Sequence, residues 1–259
     1  MAATPRRIAL TVVLLSGLAL LSFVAGRVLR PQTETPPFPT GEIRIAVDAS
    51  YPPFAVVQDA ELAGFEIDLG SAIGARLGLP VRFVNISYDG LYDALISGQV
   101  DVVISQLLVN PLRMGDVRYT RAYFDAGLVL ISSSATPIGS ISQIPGKRLA
   151  LEFGSAADAE ARLWTRRVRP FEMRPYELTE YALDAVRLGE ADAALTDAIS
   201  ARLYLRAHSE WNTHLAYVTQ APFAAAVALE RASTWKAIEN AISALMEDGT
   251  LDHLLSRWL

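Results

Sequence analysis

The sequence of 259 residues contains no cysteine. Without cysteine the chain has no disulfide, no thiolate metal site, no cysteine nucleophile and no lipid anchor on an N-terminal cysteine. Histidine is also scarce: His208, His214 and His253 are scattered, and no two of them have a metal-binding spacing such as His-x-x-x-His. The sequence therefore predicts no metal site, no catalytic triad and no cofactor.

Positive charge is scarce outside the N-terminus. The first 30 residues hold four arginines and no acid, so the rest of the chain carries 19 basic against 28 acidic residues. A body with this excess of acid repels phosphate, which argues against nucleic-acid binding. Charged residues are 20% and aromatic residues 8% of the chain, an ordinary globular composition. A chain of this length can bury a sizeable core, as one large domain or two small ones.

Residues 1–30 have the pattern of a targeting segment. Two arginines precede an uncharged run of 19 residues, Ile8–Gly26, which is long for a signal-peptide core and just long enough to span a bilayer. A cleaved signal peptide and an uncleaved membrane anchor both stay open, and in either case we expect the body to be exported. Residues 31–40 hold four prolines and predict a stiff spacer before the domain.

From Gly41 onward the pattern alternates between strands and helices. Ile43, Ile45 and Val47 alternate with polar residues as in a half-buried strand, and an apolar stripe predicts a helix over Gly64–Leu77. Strands joined by helices imply a parallel or mixed sheet with right-handed crossovers. Further strands are predicted at Val81–Ile86, Val100–Ser105, Val129–Ser132, Lys147–Phe153, Val168–Met173, Ala191–Thr196 and Phe223–Leu229, and further helices at Gly90–Ser97, Ala156–Arg167, Thr179–Leu188, Ile199–Ala207, Thr234–Asp248 and Leu251–Leu259.

Two blocks of the sequence share one theme, in which a helix is followed by glycine, aspartate and an apolar strand with a polar residue at its end. Ser97–Val102 (SGQVDV) in the first block corresponds to Leu188–Ala193 (LGEADA) in the second. We interpret the blocks as two similar α/β lobes, because the period is far too long for a solenoid.

Ligands of open α/β sheets bind outside the carboxyl ends of the strands. That rule selects Asp48–Tyr51, Ser105–Arg113, Glu152–Ala156 and Asp197, with Tyr88 before a helix on the same edge. If the two lobes face each other, these places line one cleft.

The charged candidates each have two interpretations. Arg113 follows Asn110-Pro111, a good helix start, and would bind a carboxylate there; the alternative is a solvated surface arginine. Asp197 would hold an ammonium group or cap the helix that follows it. Asp48 and Glu152 favour a positively charged ligand side chain if they face the cleft; otherwise Asp48 forms a turn and Glu152 faces solvent.

Tyr51 and Tyr88 are the aromatic candidates. They could stack on either side of a ligand, where an aromatic face also attracts cations. The alternative is a half-buried tyrosine of the core.

Several short motifs, taken in order, resemble the periplasmic solute-binding proteins for polar amino acids, family 3. They are Tyr51–Phe54 (YPPF), Gly64–Leu69 (GFEIDL), Tyr88–Leu91 (YDGL), Gly98–Val102 (GQVDV) and Asp248–Thr250 (DGT). The resemblance extends from Gly41 to Leu259. It implies an α/β fold of the two-lobed type II periplasmic-binding-protein class, the Venus flytrap, with a mixed sheet flanked by helices in each lobe and a double-crossover hinge. The implied lobes are residues 41–131 with 222–259, and residues 132–221.

The same resemblance implies roles for the candidates. Arg113 would hold the ligand carboxylate, Asp197 its ammonium group, and Tyr51 and Tyr88 the aromatic walls. The remaining implied contacts are Asp48, Ser105, Gln106, Leu108, Glu152 and Ser155. Two of these depart from the family pattern, since Leu108 stands where a serine or threonine is usual and Gln106 replaces a small residue.

The resemblance implies that the protein is an exported monomer without enzymatic activity, located in the periplasm or another extracytoplasmic space. It would capture a polar amino acid, with basic ones among the candidates, and deliver it to the permease of an ABC importer. Two alternatives stay open. One is a cleft enzyme of the cyclohexadienyl or arogenate dehydratase type with Glu152 as general acid. The other is a membrane-tethered amino-acid sensor domain.

Overall fold

The computed structural model describes residues Pro36–Leu259. The predicted signal peptide or anchor at residues 1–30 and the first half of the predicted spacer lie outside the described residues. Within Pro36–Leu259, the structure contains no helix that combines the length and the hydropathy of a membrane span.

The described chain alternates strands and helices. The strands are β1 (Ile43–Val47), β2 (Ser50–Tyr51), β3 (Ala55–Gln58), β4 (Glu61–Ala63), β5 (Val81–Asn85), β6 (Val102–Val103), β7 (Val117–Asp125), β8 (Leu128–Ser133), β9 (Arg148–Glu152), β10 (Glu172–Tyr176), β11 (Ala193–Asp197), β12 (Thr213–Tyr217) and β13 (Pro222–Ala228). The helices are α1 (Phe65–Leu77), α2 (Leu91–Ile96), α3 (Ala156–Trp164), α4 (Thr179–Arg187), α5 (Ala198–Ala207), α6 (Ala232–Glu247) and α7 (Thr250–Trp258). Single 3-10 turns lie at Tyr88–Gly90, Pro111–Arg113 and Ile141–Gln143.

Two five-stranded mixed sheets with the same internal order form the body. The first sheet has the order β5-β1-β6-β13-β7 and the second β10-β9-β11-β8-β12, while β2, β3 and β4 form a small separate sheet. In each large sheet the first three strands are parallel, the fourth runs antiparallel to them, and the fifth runs antiparallel to the fourth. We call the first sheet with α1, α2, α6 and α7 the first lobe, and the second sheet with α3, α4 and α5 the second lobe.

The chain passes between the lobes twice, from β7 to β8 and from β12 to β13. The two crossing segments are bonded to each other, because the Asp125 carboxylate accepts hydrogen bonds from the backbone N–H groups of Gly127 (2.9 Å) and Ala221 (2.7 Å). A Cβ on Gly127 would lie 2.2 Å from the Thr219 carbonyl oxygen, so only glycine allows this close approach. The predicted boundary at residue 131 falls inside β8, which belongs to the second sheet.

Both faces of each sheet are covered, which explains why the central strands are almost continuously apolar. In the first lobe Ile45 and Val47 point toward α1, whereas Ala46 packs with α2 on the opposite face. In the second lobe Leu149 and Leu151 pack with α3 on one face, and the alternate residues pack with α4 and α5 on the other. This alternation is the period of two expected for strands.

Each lobe repeats one ion pair at the amino end of the second strand in its sheet order, β1 or β9. In the first lobe the Asp101 carboxylate accepts bonds from the backbone N–H and the guanidinium of Arg44 on β1. In the second lobe Asp192 accepts the equivalent three bonds from Arg148 on β9. The repeated Gly-x-x-Asp motif of the sequence therefore has the same structural role in both lobes, which is to fasten the third strand of the sheet to its neighbour, β1 or β9.

Two predicted segments need correction. The last five residues of the predicted spacer are not a free linker, because Phe38 is buried and the Pro37 carbonyl accepts a hydrogen bond from the Thr234 hydroxyl (2.6 Å). The strand predicted at Val168–Met173 begins only at Glu172. The backbone N–H groups as far as Val168 instead donate to carbonyls in the last turn of α3, so this segment continues the helix end as turns.

Candidate functional site

The predicted site residues lie in loops at the carboxyl ends of the parallel strands of both sheets. Asp48, the Tyr88 turn and Ser105 follow β1, β5 and β6 in the first lobe. Glu152 and Asp197 end β9 and β11 in the second. The two sheets thus present equivalent edges, and the side chains differ in what each already contacts.

Asp48 joins three strand ends of the first lobe. Its carboxylate accepts hydrogen bonds from the backbone N–H groups of Ser50 (3.1 Å) and Tyr88 (2.8 Å), and its own N–H donates to the Ser105 hydroxyl (2.9 Å). Ser105 is fully buried. Asp48 and Ser105 therefore position the loops of this edge, which accords with the turn-forming interpretation of Asp48; direct ligand contact by either stays a prediction.

Gln106 donates hydrogen bonds to the carboxylate of Glu66, a residue that is not among the predicted site residues. The Glu66 carboxylate, at the start of α1, accepts bonds from the Gln106 backbone N–H (2.7 Å), the Gln106 side-chain amide (2.6 Å) and the Tyr123 hydroxyl (2.6 Å). Gln106 has a φ of +45°. Its side chain and its backbone N–H are therefore both engaged with the protein interior.

Burial dominates the electrostatics of this group. Glu66 has no exposed surface, which raises its pKa to about 7, although the bonds from Tyr123 and Gln106 oppose the shift. The negative charge of nearby Asp48 adds to the increase. Burial and the adjacent Glu66 also raise the pKa of Tyr123 well above its usual value. The first lobe thus holds a carboxyl that titrates near neutral pH directly beneath the Gln106 loop.

Three apolar side chains stand exposed on the first-lobe edge. Tyr51 is 51%, Tyr88 45% and Leu108 47% exposed, and the ligand-stacking role of the two tyrosines stays a prediction. Below them, Phe54 of the Tyr-Pro-Pro-Phe turn is fully buried among three aromatic rings, those of Phe65, Phe124 and Phe223. The edge therefore offers apolar surface supported by a rigid aromatic core.

Arg113 lies on a single 3-10 turn rather than on a longer helix. Asn110 caps the turn, since its side chain accepts a bond from the Leu112 N–H (3.0 Å). The Arg113 guanidinium lies 4.8 Å from the centre of the Tyr92 ring and 3.9 Å from the Asp116 carboxylate. That ion pair is long and exposed, so it holds the guanidinium weakly and leaves donors that can bind a ligand carboxylate.

Glu152 and Ser155 form one local unit in the second lobe. The Glu152 carboxylate accepts a bond from the Thr179 hydroxyl (2.6 Å), and the Ser155 hydroxyl donates to the Glu152 carbonyl (2.8 Å). Ser155 also caps α3 by accepting from the Asp158 N–H (3.2 Å). Glu152 is thus a hydrogen-bonded and partly exposed carboxylate, and Ser155 has a structural task besides any contact with a ligand.

Asp197 caps α5, because its Oδ1 accepts a bond from the Ser200 N–H (2.8 Å). The capping interpretation is therefore correct, and it does not exclude the other one. A carboxylate has two oxygens and about four acceptor sites, so a capping aspartate can also accept bonds from an ammonium group. The binding role of Asp197 stays a prediction.

Sequence reasoning missed Glu66 and Phe153. Glu66 shares a helix face with Leu69 and Ile73, three and seven residues on, and an acid on a buried stripe is the signal that could have identified it. Phe153, directly after Glu152, is 68% exposed at the carboxyl end of β9. An exposed phenylalanine at this edge extends the apolar surface to the second lobe.

Among residues 36–259, no group of three or more histidine or acidic side chains could hold a metal ion. The two similar α/β lobes, joined by two crossovers, confirm the predicted two-lobed fold class.

The sequence profile of the bacterial extracellular solute-binding proteins, family 3, matches residues 43–259. The chain belongs to this family.

Known relatives agree with this assignment. The L-cystine-binding protein TcyJ of Escherichia coli (strain K12) is 26% identical over 258 residues, covering 96% of this chain and 92% of the relative. The L-arginine-binding protein of Pseudomonas aeruginosa is 28% identical over 185 residues, covering 71% and 70%. The solved L-cystine solute receptor of Neisseria gonorrhoeae, unliganded and open, has the same fold, with a TM-score of 0.69 at 23% identity over 84% of this chain and 92% of that one. Both sequence relatives are named as binding proteins, which supports the expectation that this chain has a binding role and not an enzymatic one.

Proposed function

We propose that this chain binds a polar amino acid between its two lobes and delivers it to the permease of an ABC importer. The observation that carries the proposal is the pair Arg113 and Asp197, a weakly held cation on the first-lobe edge and an anion on the second-lobe edge. An α-amino acid is a zwitterion, so its two charged groups match one residue from each lobe. Binding that uses both lobes stabilises the closed state relative to the open one.

The side chain of the ligand is the less determined part. The L-arginine-binding relative and the two acidic residues, Asp48 and Glu152, support a basic amino acid. The hydrogen bonds that both carboxylates already accept weigh against it, because they lower the gain from a new cation. The exposed Tyr51, Tyr88 and Phe153 support a ligand with a long or broad side chain of lower charge, and L-cystine is such a polar amino acid.

A thermal-shift screen of the described body against the common amino acids and L-cystine tests the proposal. A ligand that binds only the folded state raises the melting temperature, and the increase grows with its concentration. A shift with L-arginine or L-lysine alone selects the basic class, and a shift with L-cystine or L-glutamine selects the uncharged one. No shift with any amino acid contradicts the proposed function.

Two charge-removing variants test the site itself. Arg113→Ala should weaken binding by about 100-fold, the scale found when one partner of a desolvated charge pair is removed. Arg121→Ala is the matched control, because Arg121 is an exposed arginine of the same lobe that pairs with Glu239. Asp197→Asn should weaken binding while it preserves the helix cap, since asparagine caps as well as aspartate. Unchanged affinity in Arg113→Ala contradicts the assignment.

Delivery and location need separate tests. We expect the full-length chain to fractionate outside the cytoplasm, and uptake of the bound amino acid by membrane vesicles carrying the importer to require the chain. Light scattering should give the mass of a monomer. Uptake that is unchanged when the chain is omitted contradicts delivery but leaves binding intact.

A further inference from the structure

Gln106 has a backbone conformation that is unusual for a residue other than glycine. Gln106 has a φ of +45°, a conformation that strains any residue other than glycine. Two of the hydrogen bonds that compensate this strain come from one group, Glu66, which binds both the backbone N–H and the side-chain amide of Gln106. The neighbouring Ser105 is held separately by Asp48. The Gln106 N–H also donates to the Tyr123 hydroxyl (3.1 Å), which itself donates to Glu66, so Glu66 is at the centre of the hydrogen bonds that hold the loop.

The pattern of donors around Glu66 favours its ionised state. The hydroxyl of Tyr123 and both N–H groups of Gln106 all point at Glu66, and three donors suit an ionised carboxylate, which only accepts. Two of the three bonds end on Oε1, so a proton added to Glu66 would go to Oε2, which faces the Gln106 amide nitrogen at 2.6 Å. A protonated Oε2 needs an acceptor there. The Gln106 amide would have to turn so that its oxygen replaces its nitrogen.

The surroundings contain nothing that holds Glu66 in the ionised state by charge. Within residues 36–259, no arginine, lysine or histidine forms an ion pair with it. The titratable groups that act on it are Tyr123, in direct contact, and the Asp48 carboxylate across the loop; Tyr88 lies near enough for Glu66 to influence it. Complete burial raises the pKa of Glu66 to about 7, so both states are populated near neutral pH.

We propose that Glu66 is a positioning residue for the ligand-binding loop, and that proton uptake by Glu66 turns the Gln106 side chain, releases the loop and weakens ligand binding. The inference rests on the proposed function in one respect, that the loop from Ser105 to Leu108 contacts the ligand. The coupling of Glu66 to Gln106 is independent of any ligand.

The first experiment measures that coupling without a ligand. In the ¹⁵N-labelled protein, the backbone and side-chain amide signals of Gln106 should shift between pH 5.5 and 8.5 with one midpoint near that of Glu66, and should not shift in Glu66→Gln. Glu172→Gln, which alters an exposed carboxylate of β10, is the control and should leave the titration unchanged. Signals that do not titrate, or that titrate equally in Glu66→Gln, overturn the coupling.

A second variant covers the case in which Glu66→Gln does not fold. Tyr123→Phe removes one donor that favours the ionised form, so the midpoint of the Gln106 titration should move to higher pH. An unchanged or lower midpoint overturns the assignment of the titration to Glu66.

The second experiment measures binding, with L-arginine and L-cystine as probes. Their carboxylates and ammonium groups are ionised at pH 6, where we expect at least fivefold weaker binding than at pH 8 in the wild type, and an equal affinity at both values in Glu66→Gln. If Glu66 had only a structural role, Glu66→Gln would weaken binding by the same factor at both pH values. If neither probe binds at either pH, the proposed function fails while the titration still decides the coupling. If the pH ratio persists in Glu66→Gln, the effect on affinity is overturned.

Discussion

The two lobes build the same ion pair from the same sequence motif and surround it differently. Asp101 in the first lobe is 1% exposed and accepts a further hydrogen bond from Arg231, which lies just before α6. Asp192 in the second lobe is 30% exposed and its ion pair is with Arg148. The C-terminal segment, which returns to the first lobe after the second crossover, therefore covers one copy of the motif and leaves the other in contact with water.

The difference shows that a local motif does not by itself set the free energy of the interaction it forms. For Asp101, burial alone would raise the pKa, but the hydrogen bonds from Arg44 and Arg231 outweigh it and hold the pKa below its usual range. For Asp192, the bonds from Arg148 are the main cause of a lowered pKa. Burial is thus the largest influence on the pKa of Asp101, whereas for Asp192 the hydrogen bonds come first and burial second.

The largest expected effect is that of removing the buried member. Asp101→Ala should lower the free energy of unfolding by about 3–5 kcal/mol, because it leaves Arg44 and Arg231 without their shared partner in a covered position. Asp192→Ala, the matched change in the second lobe, should cost about 1 kcal/mol, because solvent screens an exposed pair. Urea denaturation measures both, and an equal loss would contradict the role of burial.

The second prediction concerns Glu66, a buried carboxyl of the first lobe. Its folded pKa of about 7 lies above the ordinary value of 4.5, so the folded state binds the proton more tightly. This stabilisation is complete below pH 4.5 and is lost as the pH rises through 7. The wild type should therefore lose on the order of 3 kcal/mol relative to Glu66→Gln between pH 4.5 and 8. Denaturation at several pH values checks this, and a constant difference would contradict it.

The third prediction compares how the first long helix begins in each lobe. In α1 the residue before the helix is Gly64, with a φ of +133°, and a Cβ there would lie 2.3 Å from the Phe54 carbonyl oxygen. Gly64→Ala should cost about 2–4 kcal/mol from strain and overlap. In α3 the corresponding residue is the capping Ser155, and Ser155→Ala should cost about 1 kcal/mol. The reverse order in thermal or urea denaturation would break the comparison.

The smallest effect tests the cover itself. Arg231→Ala removes the second arginine that pairs with Asp101 but keeps the bidentate bond between Arg44 and Asp101. We expect a loss of about 1 kcal/mol, because Arg231 is partly exposed. In this background Asp101→Ala should cost less than in the wild type, and a double-mutant cycle measures the difference. Strictly additive losses would show that Arg231 does not strengthen the pair.

Most of the fold could be predicted from periodicity. The alternation of Ile43, Ile45 and Val47 located β1, and the apolar stripe located α1 to within one residue. The predictions contain no strand between Arg113 and Val129, where the structure has β7. They also extend β6 over Val100–Ser105, whereas the strand is Val102–Val103, with Asp101 and Ile104 on either side still donating backbone bonds to β1.

The sequence could predict where the candidate site residues lie in the fold, but not which groups they contact. The rule that ligands bind at the carboxyl ends of strands selected the loops of Asp48, Ser105, Glu152 and Asp197, and the structure places all of them there. It could not show that the Gln106 side chain is bound by Glu66, because these residues are 40 positions apart and meet only when α1 packs on the first sheet.

The sequence by itself determined the α/β class, the two-lobed repeat and the family, because these depend on local periodicity and on the order of short motifs. Only the tertiary structure decided which charged groups are buried and which are bonded within the protein. The physical reason is that the pKa of Glu66 and the cover of Asp101 are set by distant segments, namely the Gln106 loop and the returning C-terminal chain. Such solvation has no signature within a short stretch of sequence.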